Sequence, residues 1–219
     1  MNKKEIIAKL KSYSNPKNVA GMARFGINPK GTLGVSVPIL RKMAKEIGKN
    51  HPLALELWDT KIHEARILAT MIDDYKLVTK KQMDKWVADF DSWDVCDQCC
   101  MNLFKYTEFA QLKCFEWTKK EKEFIRRGGF ALMAALAFAK NKMSDKDFEK
   151  FFLVIKKYST DERNFVRKAV NWALRQIGKR NKNLNKLAIK TALEIKKNKS
   201  KTAQWIANDA IRELTQKRF

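Results

Sequence analysis

The feature that most constrains this chain is a two-helix unit that recurs every roughly 30 to 40 residues from His51 onward. The pairs are Leu53 to Trp58 with Ile62 to Tyr75, and Lys81 to Phe90 with Trp93 to Phe104. Phe109 to Trp117 pairs with Glu121 to Lys140, Phe148 to Tyr158 with Asn164 to Lys179, and Leu184 to Lys196 with Thr202 to Lys217. Several second helices open alike: HEARILATM at His63, FIRRGGFALM at Phe124, FVRKAVNWAL at Phe165, and more weakly TAQWIANDAI at Thr202. Arg66, Arg127 and Arg167 occupy like places, and small residues follow them. Before the repeats, Asn2 to Tyr13 reads as a helix that Ser14-Asn15-Pro16 ends, with a second helix through Val19 to about Arg24. Gly26 to Val37 is the least helical stretch, and Pro38 fits the first turn of a further helix that Gly48 closes.

A unit that cannot bury its apolar face alone must stack on its neighbours. The expected fold is therefore all-α: an α-solenoid of HEAT/armadillo-like two-helix repeats, with residues 1–219 forming one domain. Small residues let the inner helices approach closely, and the basic residues early in those helices are expected to line a concave basic groove. Only 8 Gly and 4 Pro occur, too few for the turns of an all-β fold, and no strand-period pattern of any length is present. No run reaches the ~18 apolar residues of a membrane span, and Met1 to Lys11 is charged and helix-forming, unlike a secretory signal. The expected protein is cytoplasmic, monomeric and off the membrane.

The charge points to a polyanion. The net charge is +22, and residues 141–219 carry 21 Lys/Arg against 8 Asp/Glu, spread along amphipathic helices as a shaped cationic surface. Against that background Phe90 to Met101, FDSWDVCDQCCM, is an acidic island. On a helix, Trp93 and Asp97 share a face and Asp94 points about a quarter turn away. Asp91 is placed to cap the helix start. Taken alone, such a Trp reads as core and such an Asp as solvated. An acid within a phosphate-binding surface repels its ligand, so one retained there implies a task.

Cys96, Cys99 and Cys100 lie within five residues, with Cys114 apart, a spacing unlike two separated zinc-ligand pairs. Reduced thiols packed in a core are expected, with no metal. His63 in H-E-A-R lacks the second His of a zinc protease helix and reads as structural or surface, while His51 precedes a Pro in a loop. Trp58, Trp86, Trp117 and Trp205 read as packing residues.

SWDVCD from Ser92, FIRRGGF from Phe124, VRKAVNWALR from Val166 and MARFGINPKGTLGVSVPILR from Met22 resemble, in this order, the DNA alkylation repair glycosylases built from HEAT-like repeats. The resemblance covers nearly the whole chain. It implies a monofunctional, cofactor-free DNA glycosylase that hydrolyses the N-glycosidic bond of positively charged N3- or N7-alkylated purines in duplex DNA, without a base-flipping pocket. Bound to its substrate, such a protein is nucleoid-associated. The family's catalytic Asp one helical turn after a Trp falls on Asp97 and Trp93. Its second groove Trp falls on Trp172, its supporting Arg on Arg127 and its phosphate-contacting Arg on Arg175. Phe25 stands where the family carries a Tyr, and Ser36-Val37 where a more polar pair is expected for DNA backbone contact. Gly128-Gly129 replaces alanine-like residues. Each glycine costs a helix about 1 kcal/mol unless close backbone approach compensates. The alternative is a non-catalytic HEAT-repeat protein that binds damaged or branched DNA, with Asp97 vestigial, or a protein-interaction scaffold with an incidental basic surface.

Overall fold

The structure is a computed structural model that describes residues 1–139, 143–217 and 219. Among the described residues all regular structure is helical: thirteen α-helices and one short 3-10 turn. They pack as two compact units, residues 1–107 and 108–219.

The first unit holds α1 (Lys3–Ser12), α2 (Pro16–Arg24), α3 (Val37–Ile47), α4 (His51–Trp58), α5 (His63–Ile72), α6 (Lys80–Ala88), α7 (Trp93–Asn102) and a 3-10 turn at Phe104–Tyr106. Its starts follow cap chemistry. Asn2 and Glu5 form a reciprocal capping box, and Asn15, Asn50 and Thr79 each accept a backbone N–H from the first turn they cap. Prolines sit in the first turns of α2, α3 and α4, where a missing N–H costs nothing. Gly48 ends α3 at φ 75°, a conformation that favours glycine. His51 therefore opens α4 and is not in a loop. The expected helix to Tyr75 stops at Ile72. Asp73 is extended, and its buried carboxylate is bonded to His51 Nδ1 (2.6 Å) and accepts from Gln82 Nε2 (2.7 Å), which tethers the chain away from the helical path.

Helix α5 is the buried centre of this unit and packs against α3, α4 and α7. Beside it Trp58 and Trp86 stack with ring centroids 4.0 Å apart, and Trp58 Nε1 donates to Asp89 (2.8 Å), so a fully buried indole leaves no donor unpaired. Arg66 lies over Trp58 and donates to the Asp89 carbonyl. This arginine is buried, contrary to the expectation that it lines an open basic surface.

The second unit holds α8 (Ala110–Thr118), α9 (Glu123–Phe138), α10 (Asp145–Lys157), α11 (Asn164–Gly178), α12 (Lys182–Lys196) and α13 (Lys201–Thr215). Helix α9 is enclosed by α8 and α11. The helix expected to reach Lys140 ends at Phe138, and Lys140 lies outside the described residues. Gly129 explains its own presence. A Cβ there would sit 2.6 Å from Thr118 Cγ2 and 2.8 Å from Thr118 N, so the close approach of α8 offsets glycine's helix cost. Trp117 is packed as expected, but Trp205 is 40% exposed, with the Arg167 guanidinium over its ring. All four cysteines are buried and unpaired as disulfides. Burial pushes the thiols of Cys99, Cys100 and Cys114 well above the ordinary range, which makes them inert packing groups.

Candidate active site

The start of α7 is locked by side chains rather than by an ordinary cap. Ser92, not Asp91, occupies the N-cap position. Its hydroxyl donates to Asp94 Oδ1 (2.5 Å), which also accepts the Val95 N–H (2.9 Å). Asp94 Oδ2 pairs with His63 Nε2 at 2.8 Å, tying the first turn of α7 to the first turn of α5. Burial works against both charges. The mutual hydrogen bond, the attraction of the two charges and their further partners together outweigh it, leaving the His63 pKa above and the Asp94 pKa below their ordinary values. Asp91 lies outside the helix, accepts from Asn28 Nδ2 (3.0 Å) and stands 3.8 Å from Arg66.

This lock sets the face that Trp93 and Asp97 share. Trp93, the first residue of α7, is half-buried and donates from Nε1 to the Phe25 carbonyl at 3.0 Å. Asp97 is half-buried one turn further along. Phe25 is 74% exposed just past α2. Ser36 is the exposed N-cap of α3, and its side chain makes no cap hydrogen bond. Trp93, Phe25 and Ser36 line one recess of about 550 Å³ together with Lys17, Met22 and Val35. The structure thus gathers three of the residues singled out from the sequence, with Asp97 on the same helix.

The loop carrying this recess is held by a residue the sequence reading passed over. Glu64 is fully buried and accepts three successive backbone N–H groups, from Leu33 (2.9 Å), Gly34 (2.6 Å) and Val35 (3.2 Å). Gly34 stands at φ 80° with the Asn15 carbonyl where a Cβ would fall, so only glycine fits. The one signal was the adjacent His63 and Glu64 at the head of a helix whose later residues are mainly apolar. Two adjacent ionisable groups in such a place need partners.

The other expected site residues belong to the second unit. Arg127 is 5% exposed and donates to the Phe165 carbonyl (2.7 Å), so it braces the first turn of α11. Trp172 is half-buried on α11 beside Asn171, whose Nδ2 donates to Asp209 (2.7 Å). Arg175 is not a bare cation. Asp209 lies 3.5 Å from its Nε, and Glu213 accepts from both Arg175 and Lys179. Burial disfavours the Glu213 charge, but those two hydrogen bonds win and hold its pKa below the usual range.

A sequence profile described as DNA alkylation repair enzyme matches residues 6–214. The chain belongs to this family. No curated protein matches it. Among solved structures it is similar to one described as "a new family of proteins related to the HEAT-like repeat DNA glycosylases with affinity for branched DNA structures". That likeness has a TM-score of 0.81 at 20% identity and covers 100% of this chain and 98% of the other. The all-α, HEAT-like repeat reading of the fold holds. No described helix is long and apolar enough to cross a membrane.

Proposed function

We propose that this member of the DNA alkylation repair family hydrolyses the N-glycosidic bond of cationic N3- or N7-alkylpurines in duplex DNA, with Asp97 and Trp93 at the reacting sugar. The observation that carries the reading is the pairing of an indole, fixed through its Nε1 to the Phe25 carbonyl, with a carboxylate one turn on. The alkylated base already bears a positive charge, so it departs without a strong acid. The bond's electron pair goes to the base nitrogen and neutralises it, and water supplies the oxygen that bonds to the sugar carbon and gives up a proton to the solvent. The sugar carries oxocarbenium character in between. An ionised Asp97 stabilises that developing cation and orients the water. The face of Trp93 favours the electron-poor base, and Trp172 of the second unit is a further DNA contact. Phe25 and Ser36 sit where the DNA backbone would pass, Arg127 supports α11, and Arg175 meets phosphate once its carboxylate partners yield it. The reading needs no cofactor, and it places a monomer on the DNA.

A second reading is a non-catalytic binder of branched DNA. Two observations favour it: Arg175 is already neutralised by Asp209 and Glu213, and the solved structure of like fold is described by affinity for branched DNA. Incubating the purified protein with methylated duplex and assaying freed bases separates the two. Release of 7-methylguanine or 3-methyladenine supports the glycosylase. Tight binding without release leaves the second reading in its place.

A further inference from the structure

A separate recess of about 420 Å³ opens in the first unit, on the part of α7 beyond Asp97. Arg41 from α3, Gln98 and Asn102 from α7, and Lys105 and Tyr106 from the 3-10 turn line it, with Met71 and Met101. Among the described residues no carboxylate lines it. Arg41 is exposed and makes no hydrogen bond or ion pair among the described residues. Lys105 likewise has no carboxylate partner, and its Nζ lies 5.0 Å from the centre of the Tyr106 ring. Asn102 Nδ2 donates to Thr70 Oγ1 (3.1 Å) and to Gln98 Oε1 (2.9 Å). With its carbonyl engaged by Asn102, the Gln98 side chain offers this recess an NH₂ donor. The polar groups aimed into the recess are thus chiefly donors, two of them cationic, which suits a phosphate.

A phosphate group alone would fill only a small part of this space. The remainder is aromatic and thioether surface. Tyr106 is 51% exposed, and Tyr75 leans on it with ring centroids 5.7 Å apart, which fixes the ring without covering it. A paired duplex keeps its base faces stacked inside and offers such a surface its backbone and the base edges in its grooves, not a ring to stack on. A ligand that fills both halves has a phosphate and a free base.

We propose that this recess takes one unpaired nucleotide of a DNA strand, its phosphate between Arg41 and Lys105 with the Gln98 amide, and its base against Tyr106. This rests on the DNA-binding reading above and adds a strand end, flap or bulge to what the protein recognises. It makes no use of Asp97.

The test measures affinity of the full chain for a paired duplex, the same duplex with a thymidine flap, and the same duplex with a flap of abasic sites. Expected is about tenfold tighter binding to the thymidine flap than to the plain duplex, the scale of one base stacked on one aromatic ring. The abasic flap should bind no better than the duplex. Tyr106→Ala should erase the preference while leaving duplex affinity in place, and Tyr106→Phe should restore it. Arg41→Ala should weaken flap binding more than duplex binding. Equal affinity for duplex and thymidine flap, or a preference that survives Tyr106→Ala, overturns the proposal while the DNA reading stands. An abasic flap bound as tightly as the thymidine flap also overturns it, because phosphate alone then suffices. Failure to bind any of the three DNAs removes the DNA reading and this site with it.

Discussion

The two units use one device with opposite sign. In the first, Trp93 stands one helical turn before a carboxylate, Asp97; in the second, Trp172 stands one turn before a guanidinium, Arg175. Their surroundings differ. The acidic device is held by a buried polar lock, His63 with Asp94, and by a loop pinned on Glu64. The basic device is held by counter-charges on α13, Asp209 and Glu213, which neutralise its guanidinium. The lesson concerns cost. If the proposed function holds, the carboxylate of Asp97 is ready before substrate arrives, whereas Arg175 would exchange two partners for one phosphate and gain little from the trade. Under the proposed function the second unit would tune binding and the first would set the chemistry.

The largest expected effect breaks the lock. Asp94→Ala leaves a buried His63 without its partner and frees the Ser92 hydroxyl and the Val95 N–H. Removing one partner of a buried pair costs about 3 kcal/mol, so chemical denaturation should show a loss of that order. A variant as stable as the wild type would mean that α7 is oriented by something else. Asp94, a quarter turn from Asp97, thus holds α7 in place through His63 and Ser92.

A smaller effect follows pH. The raised His63 pKa gives stability that is full below the ordinary value of 6.5 and fades as pH climbs through the folded value. The lowered Asp94 pKa gives stability that is full above the ordinary value of 3.8 and fades as pH drops through the folded value. The stability gap between wild type and His63→Gln should therefore be widest between those two pH values and narrow on either side. A gap independent of pH would rule out the ion pair.

The second unit is sharpened by releasing its arginine. Glu213→Gln should tighten duplex binding about threefold to tenfold at low salt and steepen the salt dependence by about one phosphate contact. Smaller still, Arg175→Ala in the wild-type background should weaken damaged and undamaged duplex alike by about twofold, since a phosphate contact carries no sequence information. The same change made on Glu213→Gln should cost more. Equal costs in both backgrounds would show that Asp209 and Glu213 do not restrain Arg175.

Much of the fold was legible because helix signals are local. Asn2 with Glu5, the first-turn prolines and Gly48 act within a few residues of where they stand. Trp93 and Asp97 were legible for the same reason, being one turn apart. What escaped the sequence lies between residues far apart in it. Glu64 reaches back 30 residues to Gly34, His63 forward 31 to Asp94, and Arg175 forward 38 to Glu213. A basic residue early in an inner helix has the same local pattern whether it faces solvent or a neighbouring carbonyl. Arg66 and Arg127 turned inward, and only packing decides that.

The most direct test of the central claim is single-turnover release of 7-methylguanine from methylated duplex by wild type, Asp97→Asn and Asp91→Asn. Each variant removes one charge near α7, but Asp91 lies outside the helix and bonds to Asn28. A positioned carboxylate requires Asp97→Asn to bind duplex at least as well as wild type while releasing base ~10²-fold more slowly, with Asp91→Asn close to wild type. Equal losses in the two variants, or an undiminished rate in Asp97→Asn, would contradict it.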